Sequence, residues 1–348
     1  MTRKASGSLP RPLRLTLWTV GVAGSMALGA FLLTLALREV QTAQVAAVFG
    51  RASVPLLLAG LGVFMLASLA RGLRWWVLFV GVRVSLMRLL LVEHTALGVN
   101  NATPLPLLDE PVRVGLLALH GVPTGMVLAT MATQRTFEFG AQALLASVGV
   151  LFLPPLRPLA PYIWGGVIVA LAAVCALFLV GPRVMRIPGL GQVSPVRDFS
   201  RTVLLLRNRP VRVLVAFILT LAYALGIGMS GWLVAQAFAL PIPLLGMVFL
   251  TLLTLFVADW IPGLPASVGT FEFIAVTLLD LWGVERASAF SFAILLHALL
   301  FLPPTLVAGV YLPVAGYRSV RAVLGLLRTR PSLTPPPSAP VDAILRKQ

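Results

Sequence analysis

The chain has 348 residues, 59% of them hydrophobic and only 11% charged, whereas a soluble domain carries about 25% charged residues. That balance, a mean hydropathy of +0.97 and apolar windows of roughly 20 residues along the whole length exclude a water-soluble protein and indicate an all-α, polytopic integral membrane bundle. The net charge of +16 does not point to nucleic acid, because the arginines stand between apolar windows, as in cytoplasmic loops, rather than in one basic domain.

Residues 1–12 read as a cytoplasmic N-terminal segment with Arg3, Lys4 and Arg11. The first apolar run, 13–37, is too long for a signal-peptide core and is taken as a span. Arg38, Glu39 and Arg51 flank a short amphipathic piece, and a second span covers 54–79. Its end, Arg71-Gly72-Leu73-Arg74-Trp75-Trp76, followed by Arg83 and Arg88, reads as a headgroup-level boundary on the cytoplasmic side.

The next stretch, 97–115, places Asn100, Asn101, Asp109, Glu110 and Arg113 among Pro104, Pro106 and Pro111. The apolar run before it, 89–99, is too short to cross, so a broken or re-entrant element is expected; irregular backbone survives at membrane depth only inside protein or against a wet cavity. Each Asp or Arg at the centre of a lipid-facing helix costs roughly 2.5 to 3.5 kcal/mol, so these groups should face protein or water. A helix should restart at Pro111, capped by Asp109 or Glu110. Arg113 then either pairs structurally with Glu110 or offers a bidentate grip on phosphate.

Two spans, 137–154 and 162–180, are joined by a proline-containing turn. Arg135 and Glu138 are three residues apart and share a helix face, as an anchoring salt bridge or as part of a site. Cys175, the single cysteine, lies in the second of these windows, which excludes a disulfide within the chain and a cysteine-based metal cluster. Segment 183–212 carries Arg183, Arg186, Arg197, Arg201, Arg207, Arg209 and Arg212 against Asp198 alone and reads as the cytoplasmic linker between two halves. Within it, Ser194-Pro195 starts an interfacial helix of about three turns with Val196, Phe199, Val203 and Leu206 on one face; an ordinary solvated loop is the other reading.

Further spans are expected at 214–238, 244–261, 268–281 and 287–312, ahead of a basic, proline-rich cytoplasmic tail at 318–348. With both termini inside, the crossings are even in number and about eight. The stretch from Asp259 to Glu272 again breaks an apolar run with prolines and small residues and ends in a glutamate. Paired broken segments point to a transporter-like site at a repeat interface, with an inverted repeat as the expected relation. Glu272 has a second reading, as a carboxylate stabilising a helix N-terminus. His94, His120 and His297 lack paired spacing, so neither a metal site nor a cofactor is expected. No Walker A loop and no GxSxG motif is present.

In order along the chain, several groups of residues resemble the membrane domain of lysylphosphatidylglycerol synthases, a domain shared with stand-alone flippase-like membrane proteins. They are Arg71-Gly72-Leu73-Arg74-Trp75; Asn100 and Asn101; Leu105-Pro106; Glu110 with Arg113; Arg135 with Glu138; and Pro262, Pro265, Gly269 and Glu272, then Trp282-Gly283-Val284. The chain departs from that pattern where Asp109 replaces a usual glycine, Gln134 a glutamate, and Ala266-Ser267 a glycine pair.

The resemblance covers about 56–317, within a transmembrane domain set at 13–317. In bifunctional relatives a cytosolic domain aminoacylates phosphatidylglycerol and the membrane domain is associated with moving the product. No such cytosolic domain lies in these 348 residues, so the resemblance implies translocation or binding of a lipid in the bacterial inner membrane. The expected site is Asn100, Asn101, Glu110, Arg113, Arg135, Glu138 and Glu272. Arg113 and Arg135 would hold the phosphate of an anionic phospholipid or polyprenyl-linked glycolipid, and the asparagines would add neutral hydrogen bonds. The carboxylates would pair with the arginines, bind an aminoacyl cation or take up protons. Two other readings stay open: a membrane-embedded transferase using a polyprenyl-phosphate donor, with Glu285 beside Arg286 as its acidic candidate, and a non-catalytic partner of a separately encoded lipid- or sugar-modifying enzyme.

Overall fold

A backbone surrounded by hydrocarbon must satisfy its own N–H and C=O groups, and a helix does so within the segment. The computed structural model of the protein is helical throughout, with no strand among the described residues, which are 11–315 except 39, 104–107, 153, 188, 190–191 and 262. The expected N-terminal segment (but for Arg11 and Pro12), the basic tail, and the motif residues Leu105, Pro106 and Pro262 lie outside them.

The helices are α1 (Arg11–Ala36), α2 (Thr42–Gly50), α3 (Val54–Leu78), α4 (Leu86–Asn101), α5 (Asp109–Ala118), α6 (Thr124–Phe152), α7 (Ala160–Cys175), α8 (Ser194–Arg207), α9 (Pro210–Ala237), α10 (Leu244–Trp260), α11 (Thr270–Asp280) and α12 (Arg286–Val314). Among the described residues, five helices are long and apolar enough to cross a membrane: Thr19–Ala36, Val54–Leu78, Ala160–Val184, Pro210–Ala237 and Arg286–Val314. The protein is thus a multi-pass membrane protein. Helix α6 has 29 residues, the length of α12, but Arg135 and Glu138 interrupt its apolar run.

The expected spans at 244–261 and 268–281 take another form. Helix α11 has 11 residues, which at 1.5 Å each reach only about half of the roughly 30 Å hydrocarbon core. Gly246, near the start of α10, packs against Trp282, just past the end of α11. The two helices therefore form a hairpin that returns to the side it entered from. Helices α4 and α5 are a matching short pair, 16 and 10 residues long.

Two four-helix units result. Their helices run 25, 16, 10 and 29 residues in α3–α6, and 28, 17, 11 and 29 in α9–α12. The leading helices pack antiparallel. Ser53 N–H donates to Ala237 O, Ser230 Oγ to Gly60 O at 2.9 Å and Arg212 Nη1 to Phe79 O at 3.2 Å. A Cβ at Gly226 would come within 2.8 Å of Ala67 Cβ, so the small residue lets these backbones approach closely. Across the units, Gly98 of α4 meets Pro304 and Ala308 of α12, and Phe139 of α6 meets Phe256 of α10 edge-on. Exchanging the units carries the α4–α12 contact into the α10–α6 contact. This exchange, with the antiparallel leading pair, supports the inverted relation expected from the two broken stretches.

Between the units, α8 is the helix expected at Ser194-Pro195, and it lies on the bundle. Gly125 of α6 sits against Pro195 O, Asp198 and Phe199. Val203 and Leu206 are buried while Arg197, Arg201 and Arg207 are exposed, as an amphipathic interfacial helix requires.

Candidate functional site

The C-terminal half of α3 brings Arg71 and Arg74, one helical turn apart, into the bundle. The sequence marks this stretch as a headgroup-level boundary; within the bundle Arg74 and Trp75 are fully buried against protein, and Trp75 Nε1 donates to Thr130 Oγ1 at 3.0 Å. They are held there by carboxylates, since a buried charge must be paired or it is not tolerated. Arg71 Nε donates to Glu93 Oε1 at 2.9 Å, and Arg74 Nη2 to Glu138 Oε1 at 2.8 Å.

The first turn of α5 adds the next links. Asp109 and Arg113, four residues apart, pair at 3.1 Å, and Arg113 reaches Glu93 at 3.7 Å. Arg135 of α6 approaches Asp109 at 3.7 Å, Glu110 at 3.2 Å and Glu138 at 3.4 Å. Four arginines and four carboxylates from α3, α4, α5 and α6 thus form one continuous, charge-balanced chain. Tyr223 of α9 supports it from the other unit: its hydroxyl accepts from Arg71 Nη1 at 3.1 Å, and its ring lies 5.3 and 5.7 Å from the Arg71 and Arg74 guanidinium carbons, within cation–π reach.

The two breaks are closed by different means. In the first, Leu108 N–H donates to Asn100 Oδ1 at 3.0 Å, while Asn101 Nδ2 crosses to Phe301 O at 3.1 Å and Thr305 Oγ1 at 3.0 Å. In the second, Gly269 N–H donates to Glu272 Oε2 at 2.7 Å, and Glu272 Oε1 lies 2.5 Å from His297 Nδ1. Glu272 thereby takes the helix-stabilising position that its sequence context also allowed. Ala266 and Ser267 have φ of +59° and +61°, a left-handed backbone that glycine adopts freely and other residues only at a cost of order 1–3 kcal/mol.

Between the units lies a cavity of about 430 Å³, within the usual size of a small-molecule site. Its lining includes the charged residues Arg71, Arg135, Asp109, Glu110, Glu138 and, from α10, Asp259, together with the apolar residues Phe64, Ile227, Leu252, Phe256, Leu300 and Phe301. Of the residues expected at the site, Asn100, Asn101, Glu110, Arg135 and Glu138 line this cavity. Arg113 and Glu272 do not: Arg113 is 4% exposed, clamped between Asp109 and Glu93 beside the Trp75 ring, and Glu272 is equally buried. The Arg135 side chain is 44% exposed and that of Arg71 14%, so these two present the accessible cations.

Sequence reasoning left Arg71, Arg74, Glu93, Tyr223, Asp259 and His297 outside the site. The available signal was an ionisable residue inside an apolar run, as Glu93 is in 89–99 and Asp259 at the end of 244–261. Glu285 precedes α12, and the adjacent Arg286 donates to Arg38 O at 3.3 Å, at the helix end rather than among the cavity residues.

A search of curated proteins finds no match to this chain. The family model described as lysylphosphatidylglycerol synthase TM region matches residues 18–308, and the chain belongs to that family.

Proposed function

We propose that the protein moves a phosphate-bearing lipid across the bacterial inner membrane, with the cavity between the two units as the headgroup site. The observation that carries this reading is a single cavity at the unit interface lined by both charged and apolar side chains, which suits a molecule with an ionic head and hydrocarbon chains. Arg135, shared among three carboxylates and partly exposed, meets the lipid phosphate by exchanging a carboxylate for a bidentate phosphate contact. Arg71 is its neighbour in this role. Arg113, clamped between Asp109 and Glu93, positions Asp109, one of the three carboxylates around Arg135. Asn100 and Asn101 border the headgroup with neutral donors and acceptors, and Glu110 and Asp259 face any cationic group it carries, such as an aminoacyl amine. The antiparallel α3–α9 pair is the axis about which the two units rock.

The test is movement of nitrobenzoxadiazole-labelled phosphatidylglycerol in vesicles holding the purified protein, followed by dithionite quenching. Wild type should accelerate it and Arg135→Ala should slow it roughly tenfold or more, the equivalent of a charge-assisted hydrogen bond of about 1.5–3 kcal/mol. Equal rates for wild type, Arg135→Ala and protein-free vesicles would refute the reading.

A further inference from the structure

The second break contains a proton site that the headgroup chemistry does not use. His297 is buried on α12, its ring packed between Phe271 at 4.6 Å and Phe301 at 4.3 Å. Its two nitrogens meet different partners. Nε2 lies 2.8 Å from Ala266 O, and a carbonyl oxygen can only accept, so Nε2 carries a hydrogen. Nδ1 lies 2.5 Å from Glu272 Oε1. Two lone pairs do not approach so closely, so one further proton lies between them, on the imidazole or on the carboxyl.

From this geometry we infer that Glu272 and His297 form a proton-binding site whose occupancy sets the conformation of residues 263–269 in the break, and so couples proton movement to the cavity. The inference rests on the transport reading only in what the coupling serves. Protonated, the pair is an unbroken chain: Gly269 N–H to Glu272, Glu272 to His297, His297 Nε2–H to Ala266 O. When the shared proton leaves to cavity water, the neutral imidazole has one N–H for two acceptors; the carboxylate takes it at Nδ1, and Nε2 is left with a lone pair facing Ala266 O. The contact that opens is the one that pins the break at one of its two left-handed residues. Ala266 and Ser267 both line the cavity, which supplies a route for the proton and makes any rearrangement there a change in cavity shape. The opposite side of the break is fixed: a Cβ on Gly29 of α1 would lie 2.3 Å from Leu264 N, and one on Gly269 2.0 Å from Gly29 O. Movement is thereby directed toward the cavity rather than toward α1.

The ionisable groups on the elements around the pair are few. Helix α1 brings Gly29 and Leu33 and no ionisable side chain over residues 19–36; α2 carries none. Helix α10 contributes Asp259, α4 Arg88, Glu93 and His94, α3 Arg71 and Arg74, and α9 Arg212 and Tyr223. Asp280, Arg286 and Tyr311 stand toward the ends of α11 and α12 themselves. Among the described residues, the ion pair formed by Glu272 is with His297 and by no other of these groups.

Two measurements on the full chain test the site without reference to any lipid. Glu272→Gln keeps both hydrogen bonds, because the amide donates to His297 Nδ1 and its oxygen accepts from Gly269 N–H, but it cannot carry the proton. In [15N]histidine-labelled protein, with His297 assigned by difference from His94→Gln and His120→Gln, the His297 Nδ1 resonance should shift as the shared proton is titrated away. That transition should vanish in Glu272→Gln; a His297 titration identical in the two proteins would overturn the inference.

The second measurement places a cysteine at Ser267 in a Cys175→Ser background and compares its maleimide labelling with that of Gln142→Cys, which lines the same cavity and corrects for thiol ionisation. The ratio should rise several-fold on the alkaline side of the His297 transition, and both Glu272→Gln and His297→Gln should abolish the rise. A ratio constant with pH would overturn the coupling. Labelled-lipid movement, measured separately, distinguishes the two readings: both responses with no lipid movement retain the proton site and reject translocation, whereas lipid movement with neither response does the reverse.

Discussion

The two hairpins, α4–α5 and α10–α11, have nearly the same lengths and occupy exchanged positions, yet their chemistry differs. Around the first, eight ionised groups balance one another and asparagines close the break. Around the second, one Glu–His pair closes the break, and two non-glycine residues take left-handed backbone. The same geometry thus serves two purposes. The first half is built to hold charge in fixed places, and the second holds little charge and stores conformational strain beside the cavity. The proposed transport would draw on both kinds of part: a rigid set of ligands and an element with an alternative conformation.

The largest effect expected from this contrast lies in the first half. Arg74 is fully buried and bonded to Glu138, and removing one partner of a buried pair costs about 3–5 kcal/mol. Arg74→Met should therefore lower the thermal midpoint of the purified protein strongly, and Arg74→Met with Glu138→Gln should recover part of the loss. A single substitution no worse than the double would show that the pair does not hold this half together. Next in size is Gly29→Val, which drives a side chain into the backbone of the second break. Overpacking of this kind costs about 1–3 kcal/mol; an unchanged midpoint would place α1 away from the break.

Two smaller effects sharpen the comparison. Asn101→Ala removes the bonds to Phe301 O and Thr305 Oγ1 that tie the first break to α12 and should cost about 1 kcal/mol. Ala266→Gly has the opposite sign. It relieves a left-handed alanine and should stabilise the protein by about 1 kcal/mol, because glycine takes that backbone without a steric penalty. A destabilised Ala266→Gly would contradict the strain assigned to the second break.

Much of this organisation is legible in the sequence because membrane chemistry narrows the choices. Apolar windows without charge must be helices, and the prolines and carboxylates at 97–115 and 259–272 have no stable place in a lipid-facing helix. What escapes is tertiary. Arg71, Arg74 and Trp75 have the composition of a membrane boundary, and only packing against α4, α6 and α9 makes them interior. His297 has no sequence neighbour that marks it, since its partner Glu272 stands 25 positions earlier on another helix. The apolar window at 268–281 suggests a crossing, but its helix starts only at Thr270, leaving too few residues to span. Arg113 reads from the sequence as a partner for Glu110 or for phosphate, whereas in three dimensions Asp109 and Glu93 share its charge.

The most direct test of the cavity as a lipid headgroup site is the identity of the lipid that stays with the protein. Wild type and Arg135→Ala, purified in parallel in native membrane discs, would be extracted and their lipids quantified by mass spectrometry. A phosphate-bearing lipid enriched over the bulk membrane in wild type and lost in Arg135→Ala is the predicted result. The same bulk lipid profile from both proteins would contradict it.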